Sequence, residues 1–226
     1  MTIHCELLGV RKQYGDRAVL DDFDLEIEAA DMVALTGPSG TGKSTVLNLI
    51  GLLDAPDHGE VRIFGSKAPK PRTRAANRLL RRHLGYLFQN FALIDSASVE
   101  ENLEIALTYS GVRASKKRRI AEALERVGLP GIERRKIFSL SGGEQQRVAV
   151  ARLWLKPCEV VLADEPTGSL DDENRDIVLK LLQELNKAEK TIVIVTHDET
   201  VASSCSRTVT LNGKTKAPSP RGGELR

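Results

Sequence analysis

Met32-Val33-Ala34-Leu35-Thr36 runs straight into Gly37-Pro38-Ser39-Gly40-Thr41-Gly42-Lys43-Ser44-Thr45, and the reading of that junction decides the fold. The first five residues are a short apolar run, as expected of a strand buried on both faces. The next nine fit G-x-x-x-x-G-K-[ST], and Val46, Leu47, Leu49, Ile50, Leu52 and Leu53 follow at helical spacing. A strand, a glycine-rich loop and a helix in that order is the context in which this motif binds phosphate. Gly37, Gly40 and Gly42 carry no Cβ, so successive backbone N–H groups can close on a polyphosphate. The helix start adds its own unpaired N–H groups and dipole. Lys43 offers a point charge to the β- and γ-phosphates, and the Ser44 hydroxyl suits Mg²⁺. Hydrogen bonds to charged groups contribute about 1.5–3 kcal/mol each, so a few of them suffice to hold a nucleotide. A ligand-free turn is the bland alternative, but Gly-Lys-Ser has no evident packing purpose there.

Upstream of the junction, residues 3 to 10 and 22 to 28 alternate, with Phe23, Leu25 and Ile27 set against Asp22, Asp24, Glu26 and Glu28. They predict antiparallel strands with one wet face. Lys12-Gln13-Tyr14-Gly15-Asp16 between them predicts a turn presenting an aromatic residue, which by position alone is a strand-edge packing residue. Downstream, Glu60 to Phe64 predicts a short strand. Lys67, Lys70, Arg72, Arg74, Arg78, Arg81 and Arg82 then follow with no intervening acid. A solvated connection and charged helix face is the favoured reading of that segment, over binding of lipid headgroups or another anion.

Leu84 to Phe88 predicts a strand ending in Gln89. Ser98-Val99-Glu100-Glu101 is a capping box that opens a helix, and a basic helix begins near Ser115 and stops at Gly128-Leu129-Pro130-Gly131. Ser139-Leu140-Ser141-Gly142-Gly143-Glu144-Gln145 leads into a further helix, with Ser141 as N-cap and two glycines leaving backbone N–H groups uncovered. That pattern admits either a second anion site or an ordinary cap. Val160-Val161-Leu162-Ala163 predicts a central parallel strand that delivers Asp164 and Glu165 to its C-terminal end, where open α/β sheets bind ligands. Adjacent carboxylates at such an edge are costly unless a cation or a mechanism uses them. Asp164 is placed to hold Mg²⁺ and Glu165 to polarise an attacking water. Ser169-Leu170-Asp171 precedes another helix, and Thr191 to Thr196 predicts a buried strand ending in His197. Residues 199 to 212 predict a short helix and a closing strand, and Gly213 to Arg226 reads as a flexible tail.

Length and composition bound these readings. A chain of 226 residues suits one α/β domain with an inserted subdomain, and 41% hydrophobic with 28% charged residues excludes bulk disorder. A net charge of +2 gives no bulk drive toward nucleic acid or membrane. Cys5, Cys158 and Cys205 are odd in number and lack metal-ligand spacing, as expected of reduced thiols in the cytosol. No apolar run approaches a membrane span, and Met1-Thr2-Ile3-His4 does not begin a signal peptide, so any membrane part is expected on another chain.

Taken in order, Gly37 to Thr45, Gln89, Leu140 to Gln145, Val160 to Glu165, Ser169 to Asp171 and His197 resemble the ATP-binding subunit of an ABC transporter, over about residues 3 to 212. The resemblance implies an α/β fold: a P-loop NTPase core with an antiparallel β subdomain and an inserted helical subdomain, about 90–155, in a single domain 1–212, with a flexible tail 213–226. It implies an ATPase that binds ATP and Mg²⁺. Tyr14 matches the aromatic that stacks on adenine, and the loop from Gly37 through Thr45 matches the phosphate cradle. Ser44, Gln89 and Asp164 match the Mg²⁺ and water shell. Glu165 matches the catalytic base, His197 the histidine that contacts the γ-phosphate, and Asp171 the loop that touches the opposite subunit. Ser141, Gly142 and Gly143 match the signature that contacts ATP bound to a second copy. The implied partners are that copy, in a head-to-tail ATP dimer, and integral membrane permease subunits, with no nucleic acid. The implied location is cytoplasmic, peripheral on the inner face of the cell membrane. Phe88 to Ile94 and Ala163 to Asp171 narrow the resemblance to the macrolide-export and lipoprotein-release group, with bacteriocin exporters as the nearest branch, and so to export of a peptide, lipoprotein or antimicrobial. A non-transport ABC ATPase, passing ATP-driven motion to a cell-envelope or division complex, would look much the same. Ala30-Asp31 departs from the family, which often has Gly before the P-loop strand, and Thr41 stands where Ser is common.

Overall fold

The computed structural model describes residues 2–108 and 115–212. The chain begins with a ribbon, β1 (Ile3–Tyr14) and β2 (Arg17–Glu28), before β3 (Met32–Thr36) leads through the glycine-rich loop into α1 (Lys43–Ile50). Two more antiparallel strands, β4 (His58–Ile63) and β5 (Ser66–Lys67), precede α2 (Arg74–Arg82) and β6 (Leu84–Leu87). Helices α3 (Val99–Leu107), α4 (Lys116–Arg126) and α5 (Gly142–Leu155) follow, with no strand between them among the described residues. The chain then alternates through β7 (Val160–Asp164), α6 (Asp172–Lys187), β8 (Thr191–Val195), α7 (Glu199–Ser203) and β9 (Arg207–Thr210).

Two sheets result, an antiparallel one in the order β2-β1-β4-β5 and a parallel one in the order β6-β7-β8-β3-β9. Burial on both faces explains why the parallel strands read as unbroken apolar runs. Val160, Leu162, Val193 and Val195 pack toward α1 and the antiparallel sheet, while Val161, Ala163, Ile192 and Ile194 pack toward the helices α3 to α6. The parallel register carries the ends of β3, β6, β7 and β8 to one edge of the sheet. That edge is where the motif residues converge.

The ribbon is longer than the alternation predicts. Its turn is only Gly15-Asp16, with Lys12 and Gln13 inside β1. Register shifts between Leu7 and Val10, and again at Lys12, interrupt the period of two and hide the continuation. Gly9 takes φ +54° at the first shift. Strand β6 stops at Leu87, so Gln89 lies two residues past the ladder.

Ser98 and Glu101 form the expected capping box at α3, and buried Asn102 fastens the preceding loop by donating to the Ile94 and Ser98 carbonyls. The basic stretch becomes helical at Arg74, with Thr73 as N-cap, and Arg81 and Arg82 lie in its last turn, where cations suit the helix dipole. The tail from Gly213 lies outside the described residues. Cys5, Cys158 and Cys205 are free thiols, and burial pushes the Cys5 thiol up to about 12. No helix among the described residues is long and apolar enough to cross a membrane.

Candidate functional site: a phosphate loop at the parallel sheet edge

The loop from Gly37 to Thr45 joins β3 to α1 at this edge. Gly37 has φ +130°, and a Cβ there would lie 2.2 Å from the Leu211 carbonyl oxygen. Gly42 has φ +102°, and a Cβ would press on Val19 and Leu20 at 2.9 Å. Both backbone angle and packing therefore exclude a side chain at these two positions. Thr41 Oγ1 donates to the Pro38 carbonyl at 2.9 Å, and Arg17 Nη2 donates to the Gly40 carbonyl at 2.9 Å. Lys43 Nζ donates to the Gly37 and Pro38 carbonyls at 2.8 and 2.9 Å. The ammonium is thus folded over the loop, where an anion would meet it. Pro38, Ser39, Gly40 and Ser44 are exposed, while Thr45 is buried beneath them.

Asp164 ends β7 facing that loop, with Ser44 Oγ donating to its Oδ1 at 3.3 Å. Burial pushes the Asp164 carboxyl above its ordinary range, and the neighbouring Glu165 charge adds to this, against the lowering by Ser44 and Lys43. A half-buried carboxylate oxygen beside a hydroxyl is a hard, oxygen-only donor set. It fits Mg²⁺, which keeps several waters and takes few protein ligands.

Glu165 adopts φ +46° and precedes Pro166, with its amide tied to the Val195 carbonyl at 2.9 Å. A non-glycine residue in the left-handed region is uncommon, and such strain concentrates at functional sites. His197 Nδ1 lies 2.9 Å from Glu165 Oε1, and that hydrogen bond and charge raise the imidazole above its ordinary value. Gln89 borders the same turn, since a Cβ on Gly168 would lie 3.5 Å from Glu165 Cβ and 3.9 Å from Gln89 Nε2. Ser44, Gln89, Asp164, Glu165 and His197 are thereby brought to one edge. Tyr14, at the end of β1, has its ring half exposed and its hydroxyl bonded to Asp54.

Ser141, Gly142 and Gly143 have other partners. Ser141 caps α5 in a reciprocal box with Glu144. A Cβ on Gly143 would meet Asn174 Oδ1 at 2.3 Å, and one on Gly142 would meet Phe91 at 3.9 Å. Asn174 Nδ2 donates to both carboxylate oxygens of Asp171, at 3.0 and 2.9 Å, while Asp171 caps α6. The signature and Asp171 are therefore one structural unit, joined through Asn174. The sequence singles out neither Asn174 nor buried Gln146, whose Nε2 donates to the Pro166 carbonyl behind Glu165.

A groove of about 300 Å³ lies against Phe88, the residue before Gln89, and is lined also by Leu80, Tyr86, Ile105, Leu153, Arg152 and Lys156. Tyr86 and Phe88 stack at 4.7 Å, and Arg152 holds the Phe91 and Ala92 carbonyls at 3.0 and 2.5 Å.

A phosphate loop on a parallel sheet, facing an acidic pair on a neighbouring strand end, defines a P-loop nucleotide-binding protein. Residues 20–168 match the ABC transporter family. The chain is 43% identical over 211 residues, 91% of its length, to the macrolide export ATP-binding/permease protein MacB of Escherichia coli, of which those residues make up 33%. It is 42% identical over 211 residues to the protein of the same name from Rhodopseudomonas palustris, covering 91% of this chain and 32% of that protein. The chain thus spans about a third of the length of these curated relatives.

Among solved structures it superposes with a TM-score of 0.84 on MJ0796, a bacterial ABC transporter cassette, in a dimeric structure. Identity is 37%, and 92% of this chain and 94% of that one are covered. The same cassette in a dimeric post-hydrolysis state bound to ADP and Pi matches with the same TM-score at 36% identity, with the same coverage of each chain. This chain belongs to the ABC transporter family, as its ATPase cassette. The expected fold class and the expected resemblance to macrolide exporters are both met.

Proposed function

We propose that this chain binds and hydrolyses ATP as a head-to-tail dimer that drives a membrane permease of the macrolide-export and lipoprotein-release type. The observation that carries this reading is the division of the site. The sheet edge supplies a phosphate cradle, an oxygen pair and Glu165 with His197, while Gly143 packs on Asn174 of α6 and Gly142 faces Phe91 in the same chain. A second copy is what would bring Ser141, Gly142 and Gly143 over the cradle. The domain assigned to this work is 1–212, with residues of about 90–155 acting as an inserted helical arm.

Backbone N–H groups of the loop and Lys43 would bind the β- and γ-phosphates, with the Lys43 ammonium exchanging carbonyl partners for phosphate oxygens. Ser44 and Asp164, with Gln89 through water, would hold Mg²⁺, which neutralises phosphate charge when bound. Glu165 would orient and deprotonate the attacking water, and His197 would steady Glu165 and donate to the γ-phosphate. Positioning and charge stabilisation do most of the catalysis in such in-line displacements. Tyr14 would stack on adenine, and Asp171 would touch the opposite subunit.

The groove against Phe88 offers the permease a place to dock, so that movement at Gln89 passes to the membrane protein. On this reading the chain would sit on the cytoplasmic side of the membrane, as a peripheral subunit of a transporter that exports a peptide, lipoprotein or antimicrobial. The direct test measures MgATP turnover against protein concentration alongside light scattering. Turnover per chain should rise with concentration as dimer forms. Turnover independent of concentration, in a chain that stays monomeric with ATP, would overturn the composite site.

A further inference from the structure

The ring of Tyr14 is held by a network formed by residues far apart in the sequence. Tyr14 Oη donates to Asp54 Oδ2 at 2.7 Å. Lys12 Nζ donates to Asp54 Oδ1 and to the Ala55 carbonyl, both at 2.9 Å, and sits 5.2 Å from the centre of the Tyr14 ring. Asp57 adds a second strap, accepting from the Gln13 amide at 2.7 Å and standing 3.6 Å from the same ammonium. Asp54 and Asp57 lie on the turn that leaves α1, the helix whose first residue is Lys43.

The exposures are opposed. Lys12 is 8% exposed and the Tyr14 residue 48%. The Lys12–Asp54 pair alone would fasten the strand to the turn, so packing does not account for a hydrogen-bonded phenol on a half-exposed ring. An ammonium over an aromatic ring is attracted to its π face, which leaves the opposite face for another partner. Ordering a side chain at the moment of binding costs affinity, and a ring already oriented avoids that cost.

We infer that Asp54 and Lys12 are positioning residues for recognition of a nucleotide base: they fix the Tyr14 ring so that its open face stacks on the purine of the nucleotide held at the start of α1. One ligand would then engage both ends of that helix. The inference rests on the ATP-binding reading above, and its test keeps the two apart.

The full-length chain is titrated calorimetrically with the magnesium complex of a non-hydrolysable ATP analogue and, separately, with magnesium tripolyphosphate, which has no base. Tyr14→Phe keeps the ring and removes the hydroxyl. Tyr14→Phe and Asp54→Asn should each weaken the nucleotide by about 3- to 10-fold and leave tripolyphosphate within about 2-fold. The double variant should lose less than the product of the two single losses, because both changes break the Tyr14–Asp54 bond. Tyr14→Trp, which needs no phenol, should bind nucleotide at least as well as wild type and make Asp54→Asn silent. Wild-type nucleotide affinity in Tyr14→Phe would overturn the inference. So would equal weakening of both ligands by Asp54→Asn, since that is the signature of a merely structural strap. A wild-type chain that binds tripolyphosphate no less tightly than the nucleotide would instead overturn base stacking itself, and this inference with it.

Discussion

Substitution of Glu165 separates chemistry from folding at one position. The carboxylate is poised by His197 at 2.9 Å, and its backbone sits at φ +46° between the Val195 carbonyl and Pro166. Glu165→Gln keeps shape and removes the base. General-base action contributes about 10²–10⁴-fold, so turnover should fall by that factor, or about 3–5.5 kcal/mol of barrier. ATP binding should survive, and an ATP-bound dimer should accumulate. Glu165→Gly removes the base and also the backbone strain. A left-handed L-residue costs about 1–2 kcal/mol, offset by about 0.5–1 kcal/mol for the extra freedom of unfolded glycine. The net gain of about 0.5–1 kcal/mol corresponds to a Tm rise of about 1–4 °C for a domain of this size. Phosphate release at saturating MgATP and a nucleotide-free melting scan check the two halves. Near wild-type turnover in Glu165→Gln would refute the catalytic assignment. A Tm several degrees lower in Glu165→Gly would refute the strain.

Three further outcomes follow from the same geometry. The Glu165 partner raises the His197 pKa, so the pair contributes most below the unfolded value of 6.5 and is lost as pH rises through the folded value. Imidazole titration by NMR should place His197 above 6.5 in the wild type and closer to 6.5 in Glu165→Gln, and an unchanged His197 would reject the pairing. Gly143→Ala should displace Asn174 from Asp171 and lower turnover about 10-fold or more, since the added Cβ would lie 2.3 Å from Asn174 Oδ1. Asn174→Ala in the same chain should restore part of that loss, measured as MgATP turnover. Ala30 holds φ +61°, so Ala30→Gly should raise unfolding free energy by about 0.5–1 kcal/mol, read from the urea midpoint.

The parallel core was legible in the sequence because burial on both faces writes itself as runs such as Val160 to Ala163. The capping box at Ser98 and the cap at Ser141 were legible because a helix cap and its partners lie within four residues. The full length of the ribbon was not, since each register shift moves later side chains out of the expected alternation. Close approaches leave no local trace either: a Cβ on Gly51 would lie 1.3 Å from Tyr86 Oη, yet these residues are far apart in the chain. The same holds for the site. Phosphate chemistry is encoded in contiguous residues, but Asn174, Gln146 and Asp54 act through partners that only the fold brings near. The left-handed angle at Ala30 is one that glycine would adopt without strain.

Helix α5 has a mechanical meaning beyond its cap. Its 14 residues form a rod about 21 Å long. One end begins with Gly142 and Gly143, and near the other Arg152 grips the Phe91 and Ala92 carbonyls beside the groove. A tilt of about 10° would sweep one end roughly 3–4 Å past the other. Under the proposed reading, nucleotide clamping and permease docking would share this single rod as a drive shaft, and neither stroke could be completed without delivering the other.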